Sequence, residues 1–310
     1  MHPFSRRLDD NDLIEHFLVR VLEYRPENLD DVIQRIKEGE FQIHHIPDVD
    51  STLGSTKHRR RRFAREEDRW NLRTQIVTEL FSMQRTETDD EIKLGNGGAI
   101  PITDPKFENK AIVIIGLPAS GKSGIANELA DTIGAIILDS DFAKRKLPEF
   151  QDGLGGASLV HNESDVLVFG APRIEIPTNF KPLFQLAVES KMNLVIPKIG
   201  HKLSGVHQMG YTLKNLGYET HLVCVNLDRR KATIRAIGRF IESGRYVPIG
   251  LIFDGYANDP LNTYFLLKDG IDLGIQPFDS FGLISTDVPK GNRPRILQAS
   301  TSSPINELKK

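Results

Sequence analysis

The stretch GLPASGKS at residues 116–123 constrains this chain more than any other feature. It fits G-x-x-x-x-G-K-[ST] without a mismatch, placing Gly116, Gly121, Lys122 and Ser123 at the fixed positions. The apolar run AIVIIG (111–116) precedes it, and Ile125, Leu129 and Ile133 follow at four-residue spacing, the mark of a helix. Gly134 then stands where a helix ends on a left-handed residue. Strand, loop and helix in this order make a phosphate cradle. Gly116 and Gly121 let the backbone wrap an anion, while Ala119, Ser120 and Gly121 offer N–H groups beside the helix N-terminus. Lys122 reaches outer phosphates and Ser123 is a candidate Mg²⁺ ligand, so ATP and Mg²⁺ are the expected cofactors.

The surrounding pattern supplies a fold. From residue 109 short apolar runs alternate with amphipathic stretches. The expected strands are 111–116, 134–139, 193–198, 221–227 and 281–286, with helices at 122–133, roughly 180–191, 204–216 and 229–242. Continuous Val/Ile/Leu strands separated by helices imply an α/β fold, a P-loop kinase-like parallel five-stranded sheet flanked by helices. Residues 1–66 read as an N-terminal helical extension carrying a basic run, with helical spacing at 8–40 and a break at HHIPDVDSTLGSTKH. Residues 67–108 are a helix and a Gly/Pro/Asp/Thr-rich linker, 109–290 the kinase-like domain, and 291–310 an aperiodic tail expected to fray. Trp70 and Phe81 have helical company and are expected in the core, as is Cys224 inside HLVCVNL.

The segment LDSDFAKRKLPEF (138–150) puts two aspartates at the end of the second strand. Alone, Asp-x-Asp there is a turn with a helix cap. Beside a phosphate cradle, a carboxylate at that place accepts the proton of an incoming hydroxyl while the cation and Lys122 neutralise the moving phosphoryl group. Asp141 is the expected base. Asp139 either supports the metal at Ser123 through water or caps the turn. Downstream, TIRAIGRFIESGRYVP offers Arg239 and Arg245 as phosphate clamps, and Arg235 reads as part of a solvated face.

With these pieces, His161 in ASLVHNES, the run NLVIPKIG…LKNLGYETHLVCV and the RF…GRYVP element, the chain resembles the zeta toxin family over about residues 68–255. These are the kinase halves of epsilon/zeta toxin–antitoxin systems. The resemblance implies that Asp141 activates the 3′-hydroxyl of UDP-N-acetylglucosamine, that ATP supplies the phosphate, and that Arg239 and Arg245 bind ATP phosphates. It also implies an antitoxin or chaperone as a partner. One departure stands out. Where wall-precursor kinases carry a Glu-x-Thr-x-Arg-like segment, this chain has Pro197, Ile199 and His201. Pro197 and Ile199 have no side-chain hydrogen bonds to give. In this it is more similar to zeta-fold effector kinases of plant pathogens, which phosphorylate a ribose hydroxyl of NAD. On that reading Lys198 and His201 meet a dinucleotide's phosphates, and His161 and Glu163 line the same cleft.

The formal net charge of −2 gives no global field for nucleic acid or an anionic membrane. The one strong basic cluster, KHRRRRFAR (57–65), lacks interleaved aromatic platforms and is balanced by the EED that follows. It is expected to be the solvated start of a helix, so nucleic acid is not an expected partner. MHPFSRRLDD has no apolar signal core, and no run approaches the roughly 20 residues of a membrane span. The expected site of action is cytoplasmic, or another cell reached through a specialised secretion system. Two other readings stay open: a polynucleotide kinase gripping its substrate with the basic run, and a binding module using ATP as a switch.

Overall fold

The computed structural model describes residues 5–44, 51–170, 177–270, 276–289 and 291–309. Six strands form one sheet: β1 (Lys110–Gly116), β2 (Ala135–Ile137), β3 (Asn193–Lys198), β4 (Glu219–Asn226), β5 (Ser280–Ser285) and β6 (Arg295–Ala299). Their order is β2-β3-β1-β4-β5-β6. The first five are parallel, as their uninterrupted apolar sequences require of strands covered on both faces. β1 sits near the middle, and Ala111–Ile115 are all at most 1% exposed.

β6 corrects the sequence-based expectation for the tail. It pairs antiparallel with β5, and the turn Pro304–Lys309 that follows buries Ile305 completely. Gly282 makes room for that residue, since a Cβ there would lie 2.6 Å from the Ile305 Cδ1 atom. The strand went unread because edge strands with both faces partly wet carry no core alternation.

The helices are α1 (Asn11–His16, continued by a π turn to Val21), α2 (Leu29–His44), α3 (Glu66–Ser82), α4 (Lys122–Ile133), α5 (Ser140–Lys146), α6 (Gly156–Leu159), α7 (His161–Phe169), α8 (Leu183–Glu189), α9 (Leu203–Asn215), α10 (Arg229–Ser243) and α11 (Asp259–Asp269). Their ends follow local chemistry. Asp228 caps α10 by accepting from the N–H groups of Arg230 and Lys231, and Gly244 closes it in the left-handed region at φ 71°. Gly134 closes α4 at φ 60°, as the sequence suggested.

Besides a small one of Leu117, Leu227, Ala232, Ala236 and Ile252, two apolar clusters hold the described residues together. The larger surrounds the sheet and takes in Cys224, whose thiol burial pushes up to about 12, together with the half-buried Trp70 and Phe81. The second joins α1 and α2 to α10 and the segment after it, through Phe17, Ile36, Phe240, Tyr246 and Phe253 among others. Of the break expected at 44–58, residues 45–50 lie outside the described residues, while Thr52 is fully buried. The linker before β1 is also tied in: the Ile137 N–H donates to the Ala99 carbonyl at 2.9 Å, closing the free edge of β2. Among the described residues no helix is long and apolar enough to cross a membrane.

Candidate active site

The cleft lies where parallel strands deliver their loops, at the carboxyl ends of β1, β2 and β3, and it encloses about 950 Å³. Its floor is the loop after β1. Gly116 must be glycine, because a Cβ there would stand 2.6 Å from the Val225 carbonyl oxygen. Gly121 turns the chain into α4 at φ 87°. Ala119 also takes a positive φ of 60°. Ser120 is fully buried, and its hydroxyl has no hydrogen-bond partner, as expected of a loop shaped around a group not supplied by the chain. Lys122 folds back on this loop, donating to the carbonyls of Gly116 at 2.8 Å and Leu117 at 2.6 Å. Burial lowers it to about 8 against the pull of Asp139 and Asp141.

Asp139 caps α5, its carboxylate accepting from the Asp141 N–H at 2.9 Å. Burial and the neighbouring Asp141 charge raise it to about 6. Asp141 behaves oppositely. Burial opposes its charge, but Lys144 at 2.9 Å and Arg245 at 2.5 Å outweigh that and hold the carboxyl far below the usual range. Lys144 belongs to the LDSDFAKRKLPEF segment, and its place one turn after Asp141 explains the contact.

Arg239 and Arg245 line the opposite wall, as the sequence suggested. Arg235 borders it too, one turn before Arg239, and donates to the Thr286 carbonyl at 2.9 Å; it is exposed, as expected, while facing the cleft. Phe150, the aromatic of the PEF triplet, steadies this wall, with the Arg245 guanidinium 5.7 Å from its ring centre.

On the far side, His161, Lys198 and His201 face the cleft together with Asp165 and Tyr256. The Lys198 ammonium sits 3.4 Å from the centre of the Phe169 ring, and burial lowers its affinity for protons. The rings of His201 and Tyr256 lie 4.9 Å apart. Asp165 accepts from the Ser140 hydroxyl.

Glu163 is not brought to this group. It is fully buried behind α7, where Arg69 donates to it at 2.6 and 2.7 Å and Arg73 at 2.7 Å. Arg69 also binds Glu149, so the carboxylate read as a cleft residue belongs to an ion network between α3 and α7. The signal was present in the helix period. His161 and Asp165 are four residues apart and share a face, and Glu163 between them points away.

The basic run is tied down in part. Arg59, 1% exposed at its side chain, pairs with Glu66 at 2.5 Å, Arg60 pairs with Asp152, and Arg65 pairs with Asp68 at 2.7 Å.

The family model for zeta toxins matches residues 99–258, just over half of the chain. The chain belongs to the zeta toxin family. No curated protein matches it. Among solved structures, this zeta toxin is similar to a chain from the PezAT chromosomal toxin–antitoxin system of Streptococcus pneumoniae. The TM-score is 0.45 at 16% identity, over 67% of this chain and 79% of that one. It is also similar to a chain of the AvrRxo1-ORF1:-ORF2 complex with ATP, at TM-score 0.44 and 14% identity over 76% and 67%. A gluconokinase from Sinorhizobium meliloti 1021 matches at 0.31 and 16% over 59% and 86%. The zeta toxin match includes β1 to β4, the loop after β1, Asp141, Arg239 and Arg245. Residues 5–44 lie outside it.

Proposed function

We propose that this zeta toxin is a Mg²⁺/ATP-dependent small-molecule kinase. It would move the γ-phosphate of ATP to a hydroxyl of a nucleotide-linked metabolite, with the ribose of NAD favoured over UDP-N-acetylglucosamine. The observation that carries this is the single cleft shared by the Lys122 loop, Asp141 and the two clamp arginines.

The residues fit their roles. The loop's N–H groups, Lys122 and Arg239 would cradle the ATP phosphates, and Arg245 would exchange part of its pairing with Asp141 for phosphate oxygens. Mg²⁺, when bound at Ser123 with Asp139 nearby, would supply charge neutralisation between the outer phosphates. Asp141 holds the acceptor hydroxyl in line and takes its proton as the oxygen–phosphorus bond forms and ADP leaves. A carboxylate held so far below its usual range is a weak base, and a weak base suffices, because a loose transition state gives up the acceptor proton late.

The acceptor side supports a nucleotide-linked substrate. Lys198 is a half-buried ammonium resting on an aromatic ring, free to meet a phosphate. His201 and Tyr256 offer ring faces for a base. Ile199 and Pro197 leave the floor without side-chain hydrogen bonds, which disfavours an acceptor that needs them. An antitoxin or chaperone partner belongs to the same proposal.

The test is mass spectrometry of a deproteinised metabolite pool incubated with protein, Mg²⁺ and ATP, with NAD and UDP-N-acetylglucosamine in separate tubes. One of them should gain a phosphate with the intact protein. Lys122→Ala and Asp141→Asn should each abolish the gain, while ATP binding largely survives the second change. Normal transfer by Asp141→Asn would remove Asp141 from the mechanism.

A further inference from the structure

Helices α1 and α2 lie outside the residues matched by the family, yet they pack against the wall that carries the clamp arginines. Arg245 stands just past the end of α10, after the left-handed Gly244, so no helix of its own fixes it. Its neighbour Tyr246 is 2% exposed and donates its hydroxyl to the buried Glu40 carboxylate at 2.5 Å. Gly39 lets α2 approach that closely: a Cβ there would lie 2.6 Å from the Tyr246 Cγ atom. Arg35, one turn earlier, donates to the Ile241 carbonyl at 3.2 Å and lies over the Phe240 ring. Phe240 in turn meets Tyr246, with ring centres 4.9 Å apart. Gly39 and Glu40 of α2 thus meet Tyr246 directly, and Arg35 reaches it through Phe240.

We propose that α2 is a working part of the phosphate site, with Glu40 as a positioning residue that fixes Arg245 through Tyr246. The inference rests on the reading that Arg245 binds ATP phosphates. Its purpose follows from the geometry. Arg245 must bridge two roles, pairing with Asp141 and turning to phosphate when ATP binds, and a guanidinium on an unanchored loop would make neither contact with a defined direction.

ATP binding in the presence of Mg²⁺, measured by calorimetry on the full chain, tests this without knowledge of the acceptor. Tyr246→Phe, which keeps the ring and deletes the donor, should weaken ATP about fivefold to tenfold. Glu40→Gln still offers an amide oxygen to the phenol and should lose much less. The deciding measurement is a cycle with Arg245→Ala. If Glu40 and Tyr246 act through Arg245, Tyr246→Phe costs nothing more once that side chain is gone, although both changes still lower the melting temperature. Equal losses with and without Arg245, or no loss in Tyr246→Phe, would overturn the positioning role and leave the kinase reading intact. Failure of the unaltered protein to bind ATP would overturn both. Should Glu40→Gln prove unstable, Tyr246→Phe and the cycle still decide.

Discussion

Lys122 shows how strongly a phosphate site can depend on one proton. It donates to two loop carbonyls, and burial brings it down to about 8. Bound phosphates favour its charged form, so the complex holds its proton to higher pH than the free protein does. Between those two values binding takes up a proton, and affinity must fall as pH rises, by at most about tenfold per unit. Calorimetry at pH 7 and pH 9 should therefore show weaker ATP binding at the higher pH. Heats that vary with buffer ionisation would confirm the proton uptake, and an unchanged affinity would contradict it. The residues of this site were legible in the sequence where spacing fixes their place: a loop motif in strict register, an Asp-x-Asp after a strand, arginines on one helix. Glu163 was misread because nearness in sequence to His161 says nothing of which face a helix turns inward. Asp165, Lys144 and Tyr256 were left out of the candidate residues, since nothing but the fold brings Tyr256 against His201.

Among the elements, α3 is the one whose composition misleads most. It carries Arg69 and Arg73, 0% and 2% exposed, in positions a helix normally fills with aliphatic side chains. Glu149 and Glu163, both fully buried, answer them. The network locks α3 to α7 and to the turn after α5, which carries Phe150 and so reaches Arg245. Removing one member strands the rest. Arg69→Ala should cost about 3–5 kcal/mol in urea unfolding, because Glu149 is left buried without a cation and Glu163 keeps only Arg73. A loss under about 1 kcal/mol would mean that water reaches them. The same network explains why Arg59 and Arg60, read in sequence as part of a charge cluster, are largely spoken for. Arg59 meets Glu66, and the Arg60 backbone N–H donates to Glu149 at 2.7 Å. Strands β1 to β5 were legible because buried parallel strands are apolar throughout. The edge strand β6 was not, since its side chains answer to no single core.

For the whole molecule, a net charge of −2 and a basic run partly consumed by internal pairs leave little to grip a polyanion. Filter binding of a labelled single-stranded oligonucleotide should show weak retention and a shallow dependence on salt. A steep slope, equivalent to several released counterions, would instead favour a polynucleotide acceptor. The division into a helical extension and a catalytic domain also changes meaning in three dimensions, because the second apolar cluster is built from both. The hydrogen bond between Tyr246 and Glu40 closes over 206 residues of chain. During synthesis, then, the Lys122 loop leaves the ribosome long before the arginine wall exists, and α2 waits with its apolar face covered only in part, by α1, until α10 arrives. A polypeptide cut short between α4 and α10 has the Lys122 loop and neither Arg239 nor Arg245. Because α2 meets its partner only when α10 is made, such abortive translation products would lack the wall that the proposed reaction needs.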